Sequence, residues 1–134
     1  MLPVKRIPIV ATDFSWHDFI SIFKVKSARQ RLANELSQYL NSKYVFSVNS
    51  GTGAFYIILR ALSQLHPEKK EVILPAYTAA SLVLPIKKLG LEPKLCDISL
   101  ETFNFEINKL SILVSDRTLC IVAIHSFGLA SDVE

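Results

Sequence analysis

The sequence predicts an α/β fold, a partial parallel-type sheet with helices on both faces. Three observations carry that prediction. From residue 44 onward the segments alternate strand, helix, strand, helix, strand, helix, strand. The strand segments are short and continuously apolar, as in Val72-Ile73-Leu74 and Leu119-Cys120-Ile121-Val122. Strands buried on both faces read this way, whereas half-exposed strands alternate. Turn residues punctuate each junction, so every parallel crossover has room for a helix.

The chain has 134 residues and is half hydrophobic and one-fifth charged, enough to build a core. Net charge is +3, and the basic residues are scattered in pairs such as Lys69/Lys70 and Lys87/Lys88. No long basic run marks a nucleic-acid surface. No apolar stretch reaches the length of a membrane span, and residues 7–11 are too short for a signal peptide. Cys96 and Cys120 sit inside apolar runs without a metal-ligand partner at suitable spacing, as small core residues of a reduced protein do. The expectation is a cytoplasmic chain with no metal site.

Residues 1–26 read as an N-terminal arm with a short aromatic-rich helix over 13–23, and residues 27–134 as an incomplete α/β domain. Ser27 and Gln30 fit a capping box, and Leu32, Leu36, Tyr39 and Leu40 recur at helical spacing, predicting a helix over 28–40. Asn41-Ser42 ends it, and residues 44–48 form the first strand of the pattern. Phe55, Ile58, Leu59, Leu62 and Leu65 mark one face of the next helix, which Pro67 ends. Residues 71–74 are a strand. Residues 78–89 are a helix stopped by Gly90, in which Pro85 marks a kink or a late start. Residues 92–96 are a strand ending at Asp97. Asn104 can cap a helix carrying Ile107 and Leu110, and residues 118–124 are the last strand. The final Ser131-Asp132-Val133-Glu134 follow a strand-like run and a glycine, which reads as an interrupted domain.

In sheets of this kind ligands bind at the carboxyl ends of the strands. Those ends are Asn49-Ser50-Gly51-Thr52, Pro75-Ala76-Tyr77-Thr78, Asp97 and His125-Ser126. The first is either a plain strand-to-helix turn capped by Ser50 or an anion site. In the second case backbone N–H groups and the helix dipole would attract a phosphate. The motifs of a P-loop, a dinucleotide site and a hydrolase nucleophile are all missing. His17 and His66 do not suggest metal ligands. What remains is an anion cradle with an aromatic and a histidine nearby, a set that suits a flat phosphorylated cofactor.

The runs "VNSGTGAFYIILRAL", "EVILPAYTAASLVLPIKKLGLEPKLCDISLETFNFE" and "RTLCIVAIHSFGLASDV" resemble the DegT/DnrJ/StrS-type aminotransferases, pyridoxal-phosphate (PLP) enzymes of fold type I. The resemblance covers about residue 31 to the end and implies the N-terminal part of the large domain of such an enzyme. It implies PLP as cofactor, a nucleotide-linked keto-sugar and an amino donor as substrates, and a homodimer for the full-length protein. The residues implied to hold PLP are Ser50, Gly51, Thr52 and Gly53. Where the family often places Phe or Trp after P-x-x-T, this chain has Ala79, so Tyr77 is the candidate ring-stacking residue. Its other reading is a buried tyrosine bonded through its hydroxyl. His125 opens a family-like H-x-F-G segment and is expected to shape the strand end. Asp97 is expected to be a cap or loop partner. No catalytic residue is assigned, because the family's aspartate, glutamine and Schiff-base lysine lie further along than these residues. Two other readings remain open, a non-catalytic remnant and a small α/β module binding a phosphorylated ligand.

Overall fold

In the computed structural model, Trp16, Ile20, residues 25–128 and residues 130–131 are described. The predicted arm and most of its short helix lie outside them. Residues up to Ser47 and residues from Val48 onward form separate compact units.

In the first unit the helix α1 spans Val25–Tyr39, three residues earlier at its start than predicted. Asn41 adopts φ 47°, a left-handed conformation that asparagine tolerates at a helix end. Residues 44–48, predicted as a strand, form none. A strand exists through ladder bonds to a neighbour, and no described segment pairs with this one. Tyr44 and Phe46 are exposed.

The second unit is a three-stranded parallel sheet. The helix α2 spans Gly51–Leu65, and the strand β1 spans Glu71–Pro75. A 3-10 turn, Ala80–Leu82, leads into α3, Val83–Lys88. The strand β2 spans Glu92–Cys96, α4 spans Ile107–Leu113, and β3 spans Thr118–Ile121. The strand order is β2-β1-β3, with β1 central and both pairings parallel. Every residue of β1 is buried, as the apolar run Val72–Leu74 requires, and so is the Glu71 that opens the strand.

Pro85 explains why α3 begins late. It falls in the first turn of that helix, where its missing N–H leaves no intrahelical bond unmade. Gly90, at φ 70°, takes the left-handed position just beyond the helix end. The predicted last strand is cut short. Val122 still donates to Ile73 O at 2.9 Å, but residues 122–124 leave the ladder.

Leu59 of α2 and Ile86 of α3 pack with Val72, Leu74 and Leu91 into one buried cluster. Val72 and Leu74 share a face of β1, so α2 and α3 cover that face. Ile73 points to the other face and is equally buried, and α4 packs beside β2. Cys96 is buried and Cys120 partly so, and burial pushes both thiols above their ordinary pKa. Among the described residues no helix is long and apolar enough to cross a membrane. No cluster of metal-ligating side chains occurs among them either.

Candidate cofactor site

Ser50 is the N-cap of α2, with extended backbone at φ −161° and ψ 158°. Its Oγ accepts a hydrogen bond from Gly53 N at 3.1 Å. The first intrahelical bond runs from Ala54 N to Ser50 O at 3.0 Å. The N–H groups of Gly51 and Thr52 precede it and meet no acceptor among the described residues. The first turn carries no acidic residue, so the positive end of the helix is not neutralised from within.

The two glycines serve different ends. A Cβ on Gly51 would meet nothing within 4 Å, so the space at that position is empty. A Cβ on Gly53 would sit 3.0 Å from Asn49 Oδ1 and 3.2 Å from Ser50 Oγ, so a side chain there would press on the cap and make those groups give way by a few tenths of an ångström. Ser50, Thr52 and Gly53 line a cavity of about 400 Å³ with Asn49, Tyr56 and, from α3, Lys88. Thr52, with its backbone N–H and hydroxyl, and Lys88 line one recess, while Gly51 lies outside its lining; a backbone donor, a hydroxyl and a basic residue are the kinds of group that a phosphate requires. Lys88 was not singled out from sequence, where it read as one of an exposed basic pair.

Tyr77 lines a different cavity. This second recess, of about 770 Å³, lies at the carboxyl ends of β1 and β3 and is walled by Tyr77, Thr78, Ala79, Leu82 and residues 122–127. Tyr77 is more than half exposed and its hydroxyl makes no hydrogen bond among the described residues, unlike the buried, bonded tyrosine of the alternative reading. Its ring centroid lies 6.3 Å from those of both Phe103 and Phe127. His125 Nδ1 accepts from Ser131 N at 2.8 Å, a satisfied histidine holding the loop after β3, as expected.

Asn104 does not cap α4. Glu106 is the cap position and makes no side-chain bond there. Asn104 instead donates to Ala130 O at 3.1 Å and lies 2.9 Å from Ser131 Oγ. Asp97 is a loop partner. Its carboxylate accepts from Ile98 N at 3.0 Å and pairs with Lys109 Nζ at 2.7 Å, while Lys109 also lies 2.8 Å from Glu106. The Lys109 hydrogen bond, then that from Ile98, holds the Asp97 carboxyl below its ordinary pKa, and the two carboxylates raise that of Lys109.

A depressed carboxylate contributes stability above its unfolded pKa, about 3.9, and loses it as pH falls through the folded value. The raised lysine keeps its contribution until strongly alkaline pH. Thermal midpoints of the wild-type chain and Lys109→Met, measured from neutral to acid pH, should therefore converge as Asp97 protonates. A gap that is unchanged in acid would rule out the pair as its source.

Residues 21–134 match the family model of the DegT/DnrJ/EryC1/StrS aminotransferases. The chain belongs to this family. It is 26% identical over 118 residues to a GDP-4-keto-6-deoxy-D-mannose 3-dehydratase of Yersinia pseudotuberculosis, covering 85% of this chain and 30% of that protein. It is 34% identical over 99 residues to the 3-oxo-glucose-6-phosphate:glutamate aminotransferase of Bacillus subtilis, covering 74% of this chain and 22% of that one. A Streptococcus pneumoniae protein described as a sugar aminotransferase superposes with a TM-score of 0.77 at 25% identity, over 96% of this chain and 34% of its own. That protein has been solved in PLP and PMP forms. The family member described here thus spans about a third or less of the length of these relatives. Its α2 terminus fits the phosphate of PLP in donor chemistry and in the empty space at Gly51.

Proposed function

We propose that this chain is the N-terminal segment of a PLP-dependent aminotransferase acting on a nucleotide-linked keto-sugar. Residues 27–134 would supply part of its large domain. The observation that carries the reading is the open start of α2. The N–H groups of Gly51 and Thr52 have no acceptor among the described residues, the space at the Gly51 Cβ position is empty, and Lys88 lines the cavity that Thr52 lines. The relatives' names support the substrate class, since a keto- or oxo-sugar is common to the Yersinia and Bacillus proteins.

In this reading Gly51 and Thr52 hold the PLP phosphate through their backbone N–H groups and the Thr52 hydroxyl. Ser50 and Gly53 keep the helix start in shape, and Lys88 adds positive charge. Tyr77 is the aromatic offered toward the cofactor ring. PLP when bound supplies the electron sink for amino-group chemistry. The catalytic lysine is not among these residues, so the chain by itself binds but does not turn over. The full-length protein works as a cytoplasmic homodimer with an amino donor as second substrate.

Titrating PLP into the purified chain, followed by its absorbance and by competition with inorganic phosphate, tests the reading. Reversible, phosphate-sensitive uptake without amino transfer from glutamate is the expected result. Uptake indifferent to phosphate would overturn the cradle, and turnover by the chain alone would overturn its inactivity.

A further inference from the structure

Ser131 and its neighbour Ala130 are stitched to two earlier parts of the chain. The Ser131 N–H donates to His125 Nδ1 at 2.8 Å. Its Oγ lies 2.8 Å from Ile124 O and 2.9 Å from Asn104 Oδ1. Asn104 Nδ2 donates to Ala130 O at 3.1 Å. The loop that bears Asn104 also carries Phe103, and the turn after His125 carries Phe127. Both phenylalanines adopt left-handed backbone, at φ 57° and φ 55°, which a bulky residue keeps only where its surroundings enforce it. Their rings meet edge to face at 5.5 Å and 75°. Among the described residues, the bonds of Asn104 to Ala130 and Ser131 are the polar link between these same two loops.

One bond of the stitch depends on a proton. Nδ1 accepts from Ser131 only while the imidazole is neutral and its proton sits on Nε2; in the imidazolium both nitrogens donate. Protonation would set one N–H against another across 2.8 Å, and the pair would have to part. His125 is exposed, so a proton reaches the ring from water without unfolding. The remaining bonds join amide, hydroxyl and carbonyl groups and do not titrate. Of the other groups that gain or lose charge nearby, Tyr77 stands on the wall of the recess that His125 lines. The Asn104 side carries Asp97, Glu101, Glu106 and Lys109. Lys109 pairs with Asp97 at 2.7 Å and with Glu106 at 2.8 Å. That hydrogen bond holds the Asp97 carboxyl below its ordinary pKa and raises Lys109, so both stay charged where histidine titrates. No ion pair reaches His125 among the described residues.

We propose that His125 is a proton-operated tie between the two loops. Neutral, it fixes Ser131 and, through Asn104, the Phe103–Phe127 pair; charged, it releases Ser131 and lets the two rings separate. Both rings lie 6.3 Å from that of Tyr77, so acid loosens the surroundings of that tyrosine. The proposal goes beyond the cofactor reading and does not depend on it.

NMR of the isotope-labelled chain at about pH 8 and about pH 5, the two sides of histidine titration, tests it. The scalar coupling across the hydrogen bond from the Ser131 amide to His125 Nδ1 should be present at the higher pH and gone at the lower. Protection of that amide from exchange, taken relative to the intrinsic rate at each pH, should fall roughly tenfold, and ring contacts between Phe103 and Phe127 should weaken with it. In His125→Asn a side-chain carbonyl oxygen takes the place of Nδ1 and does not titrate, so protection and ring contacts should hold at both pH values. Asp132→Asn removes the carboxylate nearest to Ser131 in sequence and should leave the response unchanged. A Ser131 amide equally protected at both pH values would overturn the proposal. So would a His125→Asn chain that responds as the wild type does, or a response that Asp132→Asn abolishes. If Ser131 is released while the ring contacts persist, control of the rings falls.

Discussion

Gly51→Asp is expected to weaken PLP uptake on the order of a hundredfold while leaving the fold as stable as before or more so. The two effects have opposite signs because they act on the same helix end. A carboxylate in the first turn of α2 meets the positive end of the helix dipole, which typically adds about 0.3–1 kcal/mol. A side chain at Gly51 has room, since nothing lies within 4 Å of its Cβ position. The same carboxylate would stand beside a phosphate of charge about −1.5 to −2. At a separation of about 5 Å that repulsion weakens binding on the order of a hundredfold. Gly51→Ala adds a methyl group without charge and separates bulk from repulsion. Absorbance titration with PLP, run beside thermal unfolding of both variants, checks this. A Gly51→Asp chain that still takes up PLP with wild-type affinity would remove α2 as the phosphate site. A chain that loses both stability and uptake would show that Gly51 is needed by the fold rather than by the ligand.

The start of α2 was legible because its signals are local. Ser50, the helical spacing from Phe55 onward and the two glycines lie within a few turns of one another, and each acts on its immediate neighbours. β2 matched its predicted span for the same reason, being a short segment fixed by Gly90 before it and Asp97 after it. Residues 44–48 were not legible. Apolar, β-branched composition says that a segment suits a sheet, but the ladder depends on a partner that the segment itself does not specify. The run 118–124 shows a related ambiguity. An unbroken apolar stretch does not distinguish ladder residues from the wall of a recess, and residues 122–124 turned out to be wall. Asn104 had two uses for its side chain, a local cap or a bond to a distant loop, and the distant bond won. The company of Tyr77 was illegible altogether, because Phe103 and Phe127 reach it from two separate loops.

Removing both Lys94 and Arg117 is expected to cost more stability than removing the carboxylate they face. Glu71 opens β1 and is only 6% exposed. Its carboxylate accepts from Ser115 Oγ at 2.9 Å and lies 3.7 Å from Lys94 Nζ and 3.8 Å from Arg117. Arg117 also reaches Glu92 at 3.1 Å, while its carbonyl accepts from the N–H groups of Lys70 and Glu71. The first residues of β1 and β2 and the residue leading into β3 are thus clasped at the end of the sheet opposite the recess at the carboxyl ends of β1 and β3. The asymmetry follows from burial. Both cations are about half exposed, so each regains water when its partner goes. The carboxylate is not, so with both cations absent one hydroxyl is left to offset its desolvation. The Lys94→Ala/Arg117→Ala pair should therefore destabilise by about 2–4 kcal/mol, whereas Glu71→Leu, which exchanges the charge for apolar bulk, should stay within about 1 kcal/mol. Adding Glu71→Leu to the double variant should recover most of the loss, a coupling that urea denaturation of the four chains would read directly. If Glu71→Leu alone costs as much as the double variant, the carboxylate itself stabilises the sheet and the clasp is more than compensation for a buried charge.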